Sequence, residues 1–205
     1  MRTVAERSRK GEQRAETIVD AALRCLARDG YAGTSLQRVG DESALGKRAV
    51  VYYFGSRDGL FDHVVRVVGG RLVDQIEQSV LGLEEPADIV ARGFERMWEA
   101  ITSDRALLVA WFGLRTEAIT NDGLRPAANY ITDRMRAVIA MLIDNALARG
   151  RVLHMRRPAL DVLILAGIQG LILEYVERGS TPDLHDGIAE FRVFLEGVSS
   201  VPPGA

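Results

Sequence analysis

The residues best suited to chemistry in this chain are Lys47, Arg48, Tyr52, Tyr53 and Arg57, cations and phenols gathered within a short stretch. Ammonium and guanidinium groups pair with phosphate oxygens and with guanine edges, and phenolic hydroxyls donate to phosphates. Acid–base or metal chemistry has no comparable cluster. His63, His154 and His185 lie far apart, no HExxH spacing occurs, and neither GxxxxGK[ST] nor GxGxxG is present. Cys25, the lone cysteine, offers no zinc set. No catalytic residue, metal site or cofactor is expected.

The elements that position those cations read from Thr34 to Leu60. Thr34 and Gln37 have capping-box spacing, so a hydroxyl and an amide can satisfy free N–H groups at a helix start. Leu36 and Val39 give one apolar turn, and Ser43 to Gly46 breaks it. Lys47 to Phe54 resumes the helix with Val50 and Phe54 facing inward, which turns Lys47, Arg48, Val51 and Tyr52 elsewhere. Ser56 caps the next helix. A short helix carrying basic and aromatic groups after a tight turn is a helix-turn-helix, suited to a DNA major groove.

These residues resemble a family. Helix 1 from about Arg14 to Arg28, Gly30-Tyr31, Thr34-Ser35, Tyr52-Tyr53-Phe54 and Ser56-Arg57-Asp58-Gly59-Leu60 are similar in order and spacing to the DNA-binding domain of TetR-type transcriptional regulators. The resemblance covers about the first 60 residues. Many members have Leu-Tyr-x-His-Phe where this chain has Val50-Val51-Tyr52-Tyr53-Phe54, and a small residue where Arg48 stands. The operator therefore cannot be carried over from the family. The resemblance implies a DNA-binding regulator of double-stranded operators that answers to a small-molecule effector. Thr34, Ser35 and Arg57 are candidates for phosphates at helix starts. Lys47 and Arg48 are candidates for bases or phosphates, and Tyr52 and Tyr53 for phosphates, though one of the pair could instead pack.

Composition agrees with such a protein. The 205 residues are 47% hydrophobic, enough for a sizeable core. The first 17 residues are polar, unlike a signal peptide. The longest apolar run, Val162 to Leu173, is shorter than the roughly 20 residues of a membrane span. A single cysteine suits the reducing cytoplasm, and no membrane association is expected. Cys25 shares a face with Ile18, Ala22 and Leu26, which reads as core, with redox sensing the alternative. Residues 1–62 hold eleven Lys/Arg against nine Asp/Glu within a net charge of −2, so bulk charge decides nothing. Arg2, Arg7, Arg9 and Lys10 form a basic arm able to reach phosphates or a minor groove, or else a solvated tail.

Beyond residue 60 every long periodic stretch is helical. Helices are expected at Asp58 to Ser79, Ala87 to Ile101 (with Pro86 in its first turn), Arg105 to Ile119, Pro126 to Arg149, Pro158 to Arg178 and Pro182 to Val198. The chain is thus all-α with about nine helices: a helix-turn-helix domain at 1–62, a ligand-binding and dimerisation domain at 63–198, and a flexible tail at 199–205. Gly69-Gly70 interrupts the helix expected to join the domains, as a close-packing contact, a hinge or a break.

Phe94, Met97, Trp98, Trp111, Phe112, Tyr130 and Met135 are candidates to line an apolar or aromatic ligand, although a plain core would bury the same residues. Leu160, Leu163, Ile164, Gly167, Leu171, Phe191, Phe194, Leu195 and Val198 are candidates for the seam of a homodimer, as in similar proteins, with a monomeric bundle the alternative. A dimer would set two reading helices about 34–36 Å apart on one face of DNA. The expected function is a homodimeric repressor released by a small apolar or aromatic effector. A helical adaptor or an all-α enzyme would not need the capped, basic reading helix.

Overall fold

The computed structural model describes residues 4–80, 89–103 and 105–202. It holds nine α-helices among them: α1 Val4–Gly33, α2 Leu36–Glu42, α3 Lys47–Phe54, α4 Arg57–Val80, α5 Phe94–Thr102, α6 Arg105–Glu117, α7 Arg125–Ala148, α8 Arg157–Arg178 and α9 Pro182–Gly197. A π-helical turn at Ile89–Gly93 precedes α5. Arg2, the expected break at Gly82 and the first-turn Pro86 lie outside the described residues, as do 203–205 of the expected tail.

The chain packs as two units. The first takes residues 1–70 and 105–131, the second 71–104 and 132–205. The expected boundary at residue 62 therefore moves into α4, and α6 joins the N-terminal unit because its apolar face packs on α1. α1 is longer than expected and buries Ile18, Ala22, Cys25 and Leu26 on one face. Burial pushes the Cys25 thiol pKa up, which keeps it protonated and unreactive, as a core residue should be. At Gly30 the backbone turns to φ 67° and kinks the helix.

The cap of α2 differs from expectation. Ser35 Oγ, not Thr34, accepts from the backbone N–H of Arg38 at 3.2 Å. Thr34 is 1% exposed and donates to Gly30 O at 2.7 Å, closing the turn that ends α1. Both residues carry hydroxyls, and Thr34 is drawn inward because the kink leaves Gly30 O without its helical partner. Ser56 behaves as expected, its Oγ accepting from Gly59 N at 3.0 Å.

In the second unit, Arg134 of α7 bridges Asp74 and Glu77 of α4 at 2.9 and 3.0 Å. Phe94, Trp98, Tyr175 and Phe191 form a ring-on-ring cluster. The expected tail is not loose at its start. Ser199 and Ser200 pair antiparallel with Leu153 and Val152, and His154 donates from Nδ1 to Gly197 O at 2.8 Å while its Nε2 hydrogen-bonds with Ser200 Oγ at 2.9 Å.

Gly69-Gly70 is not a break, since α4 runs through both. A Cβ at Gly69 would overlap Cδ1 and Cγ1 of Ile131, which is buried against it. Close packing thus accounts for Gly69. The substitution Gly69→Ala is expected to lower the melting temperature, overpacking outweighing the roughly 1 kcal/mol of helix propensity gained. With Ile131→Ala already in place, the same substitution should raise it. Melts of the four proteins read the sign directly, and a loss in both backgrounds would remove the packing account.

Candidate nucleic-acid interface and apolar cavity

In the first unit, α3 shows the arrangement of a reading helix. Val50 is fully buried and Phe54 packs on His63, while Lys47 and Arg48 are exposed and Tyr52 is 83% exposed. The other cations nearby are engaged. Arg24 and Arg28 hold Glu42 at 2.8 and 3.2 Å, and Arg28 and Arg38 hold Asp29 at 3.1 and 3.0 Å. These exposed pairs are individually weak, but together they tie α1 to α2 and hold the Asp29 and Glu42 carboxyls below their usual range, chiefly through the hydrogen bonds from Arg28 and from Arg24. Lys47 and Arg48 have no ion pair among the described residues. They are left for an external anion.

α3 is aimed by the main chain. A Cβ on Gly40 would fall within overlap of Lys47 N and Gly46 C, so α2 meets the start of α3 backbone to backbone. Gly46 N donates to Gly40 O at 3.0 Å across the turn, with Gly46 at φ 77° and Ala44 at φ 57°. Gly40 was missed in the sequence. A glycine inside a seven-residue helix is locally unfavourable, and that was its available signal.

Arg57 is not free for phosphates. Its Nε donates to Thr34 O at 2.9 Å, Nη2 donates to Tyr31 O, and its guanidinium lies 4.0 Å from the Tyr31 ring centre. Tyr31 OH donates to Asp58 at 2.9 Å, and burial, with that bond, pushes its pKa up to about 12. Thr34 and Arg57 thus belong to the scaffold that joins α1, α2 and α4. Their expected phosphate roles are corrected on that ground: one hydroxyl is buried and the guanidinium is already answered. Ser35 stays exposed at the start of α2, and Tyr53 is half-buried with its ring edge-on to Tyr52.

In the second unit, a cavity of about 150 Å³ lies among α4, α5, α7, α8 and α9. Phe94, Met97 and Met135 line it, together with Val138, Ile139 and Ile168, and among the described residues no charged side chain does. Trp98 is not among the lining residues; it stacks on Phe94 and meets Tyr175 edge-on. Trp111, Phe112 and Tyr130 belong to the first unit and take no part in this cavity. Aromatic residues were over-weighted in the sequence, whereas the wall is mostly aliphatic, with α7 contributing Met135, Val138, Ile139, Leu142, Ile143 and Ala146.

The candidate dimer residues divide. Leu160, Ile164, Leu195 and Val198 line the cavity, so their side chains serve the interior. Gly167 receives the ring of Phe191, whose Cε2 would overlap a Cβ there, and Phe191 stacks on Phe194 within the unit. Leu171 is half-buried, near Gly187 of α9. Leu163 stays exposed, at 48%, as do Val162 and Leu173 of α8 and Val193 of α9.

Residues 18–64 match the bacterial regulatory proteins of the tetR family. Those residues form a TetR-type DNA-binding domain. The fold agrees along nearly the whole chain. A transcriptional regulator from Saccharomonospora viridis in complex with choline superposes with a TM-score of 0.78 at 19% identity, covering 92% of this chain and 99% of the other. The regulator FadR of Bacillus subtilis in complex with stearoyl-CoA gives 0.76 at 16% identity, covering 89% and 97%. In sequence, the chain is 24% identical over 181 residues to the nicotine-responsive transcriptional repressor HdnoR of Paenarthrobacter nicotinovorans, spanning 86% of this chain and 92% of that repressor.

In the first unit the geometry separates exposed cations without an ion pair from residues of the scaffold. Lys47→Ala and Arg48→Ala are each expected to weaken operator binding at unchanged melting temperature. A base contact costs about 1–3 kcal/mol and relaxes one operator position, while a phosphate contact lowers the salt slope by about one unit. Arg57→Ala and Gly40→Ala should instead lose stability together with binding. Operator titrations at fixed salt beside melts distinguish the two groups, and normal stability in Arg57→Ala would return that arginine to the list of DNA contacts.

Proposed function

We propose that this regulator is a homodimeric repressor that leaves its operator when a small apolar effector enters the cavity of the second unit. The observation that carries the reading is the cavity itself, aliphatic and aromatic on its walls apart from Ser199 and without a charge among the described residues. Apolar cavities of this size stay dry and take up molecules of about the bulk of benzene. A charged effector would lose its hydration there with nothing in return. The nicotine-responsive relative, and the regulators that hold choline and stearoyl-CoA, support a small-molecule effector.

The dimer rests on α8 and α9. α8 is the one described helix long and apolar enough to cross a bilayer by length and composition, and only 28% of its most apolar window is buried. Its opposite faces explain this. Leu160 and Ile168 face the cavity, whereas Val162, Leu163 and Leu173 stand exposed and join Val193 of α9 as surface for a second copy. Such a dimer presents two copies of α3 to one operator in the cytoplasm, with Lys47, Arg48, Ser35, Tyr52 and Tyr53 toward the DNA. The effector releases it by binding more tightly to a spacing of the two reading helices that the operator does not fit.

Two substitutions test the parts separately. Leu163→Glu places an unpaired carboxylate in the seam but on the surface of the monomer, so it should give folded monomers with weakened operator binding. Light scattering that still reports a dimer would put the interface elsewhere. Met97→Trp fills the cavity and should leave a dimer that binds its operator yet no longer responds to effector. A full response in that variant would move the effector out of this cavity.

A further inference from the structure

Among the described residues, the wall of the cavity in the second unit holds one polar side chain, that of Ser199. It sits on a two-stranded ribbon, Val152–Leu153 with Ser199–Ser200, in which Ser199 is paired with Leu153. Paired residues of such a ribbon share a face, and Leu153 lines the cavity too, whereas Ser200 belongs to the opposite face and is exposed. Ser199 itself is 8% exposed. Behind it stands Arg151, half-buried and outside the wall, which donates from Nε to Ser199 Oγ at 2.8 Å and from Nη2 to Ser199 O. An arginine accepts nothing, so the hydroxyl hydrogen must point elsewhere. Ser199 Oγ donates to no acceptor among the described residues. A buried donor is thus left unanswered on the wall of an otherwise apolar cavity, an arrangement that folded proteins seldom keep.

We propose that Ser199 is the orienting contact of this cavity, and that the occupant is an uncharged apolar molecule with one hydrogen-bond acceptor, such as a ketone, ester or ether. The bond from the Arg151 guanidinium polarises the hydroxyl and makes it a stronger donor, and the positive charge behind it favours an incoming electron pair over a second donor. The rest of the wall offers nothing to a further polar group, which would lose its hydration there without return. A single acceptor directed at the ribbon, with the apolar body against Met97 and Met135, satisfies both conditions. The proposal deepens the preceding reading and rests on it for the cavity as the effector's site. It adds which end of the effector is polar and which residue reads it.

Cyclohexanone and methylenecyclohexane share one shape and differ in carrying C=O or C=CH2. Both are titrated against the full chain by ligand-observed NMR. Ser199→Ala should weaken cyclohexanone about fivefold and leave methylenecyclohexane within about twofold, because only the ketone loses a hydrogen bond. Ser199→Cys keeps nearly the volume and replaces the hydroxyl with a weak donor, so it gives the same comparison should the alanine variant fold poorly. Equal losses for the two probes, or no loss for the ketone, overturn the role of Ser199 while the cavity remains a site for apolar ligands. Failure of both probes to bind the unaltered protein removes the cavity as a ligand site, and the preceding reading with it. Ser199-dependent binding of cyclohexanone that never releases the operator, even at saturation, upholds the contact and counts against the effector role instead.

Discussion

The DNA-binding unit depends on a contact between two stretches of backbone. Where α2 passes the start of α3, Gly40 has no room for even a methyl group, and the N–H of Gly46 closes the turn on Gly40 O. A side-chain contact would leave the crossing adjustable by a rotamer; a main-chain contact does not. The direction of Lys47, Arg48 and Tyr52 is thereby inherited from peptide geometry. Arg57 completes the frame by donating to the carbonyls of Tyr31 and Thr34, in the link between α1 and α2.

Charge is distributed by the same frame. Residues 1–62 have hardly more bases than acids, yet their acids are not spread evenly. Glu42 and Asp29 draw in Arg24, Arg28 and Arg38 on the α1–α2 side, while Lys47 and Arg48 at the start of α3 have no ion pair among the described residues. A nearly neutral domain can in this way present a basic edge to phosphates. Net charge carries no record of such an arrangement.

How much was legible in the sequence depends on how local each signal is. The helices, the turn at Ser43–Gly46 and the inward faces of Val50 and Cys25 rest on spacing within one or two turns, and they stand where periodicity put them. Thr34 and Ser35 could not be told apart by spacing, because either hydroxyl can cap; the carbonyl freed at Gly30 chose between them. Trp111 and Trp98 looked alike as large apolar residues, although residues 105–131 pack with the first unit and Trp98 with the second. Leu160 and Leu163 are three residues apart on one apolar helix, and only the neighbours of α8 decide which of them faces a cavity and which faces outward. Gly69 carried a clear local cost, but its cause, Ile131, lies 62 positions along the chain.

The first unit is assembled from residues 1–70 and 105–131, with the second unit's first segment threaded between them. During synthesis the reading helix leaves the ribosome well before α6, the helix that packs on α1. The nascent N-terminal segment must therefore wait, with the α1 surface that α6 will cover still bare, for at least the roughly thirty residues that intervene. A fragment cut after α4 keeps every residue proposed to face DNA and lacks that cover. Recombination that exchanges reading heads between such regulators would have to carry α6 along with the first seventy residues, or accept a partner's α6 that matches the same face of α1.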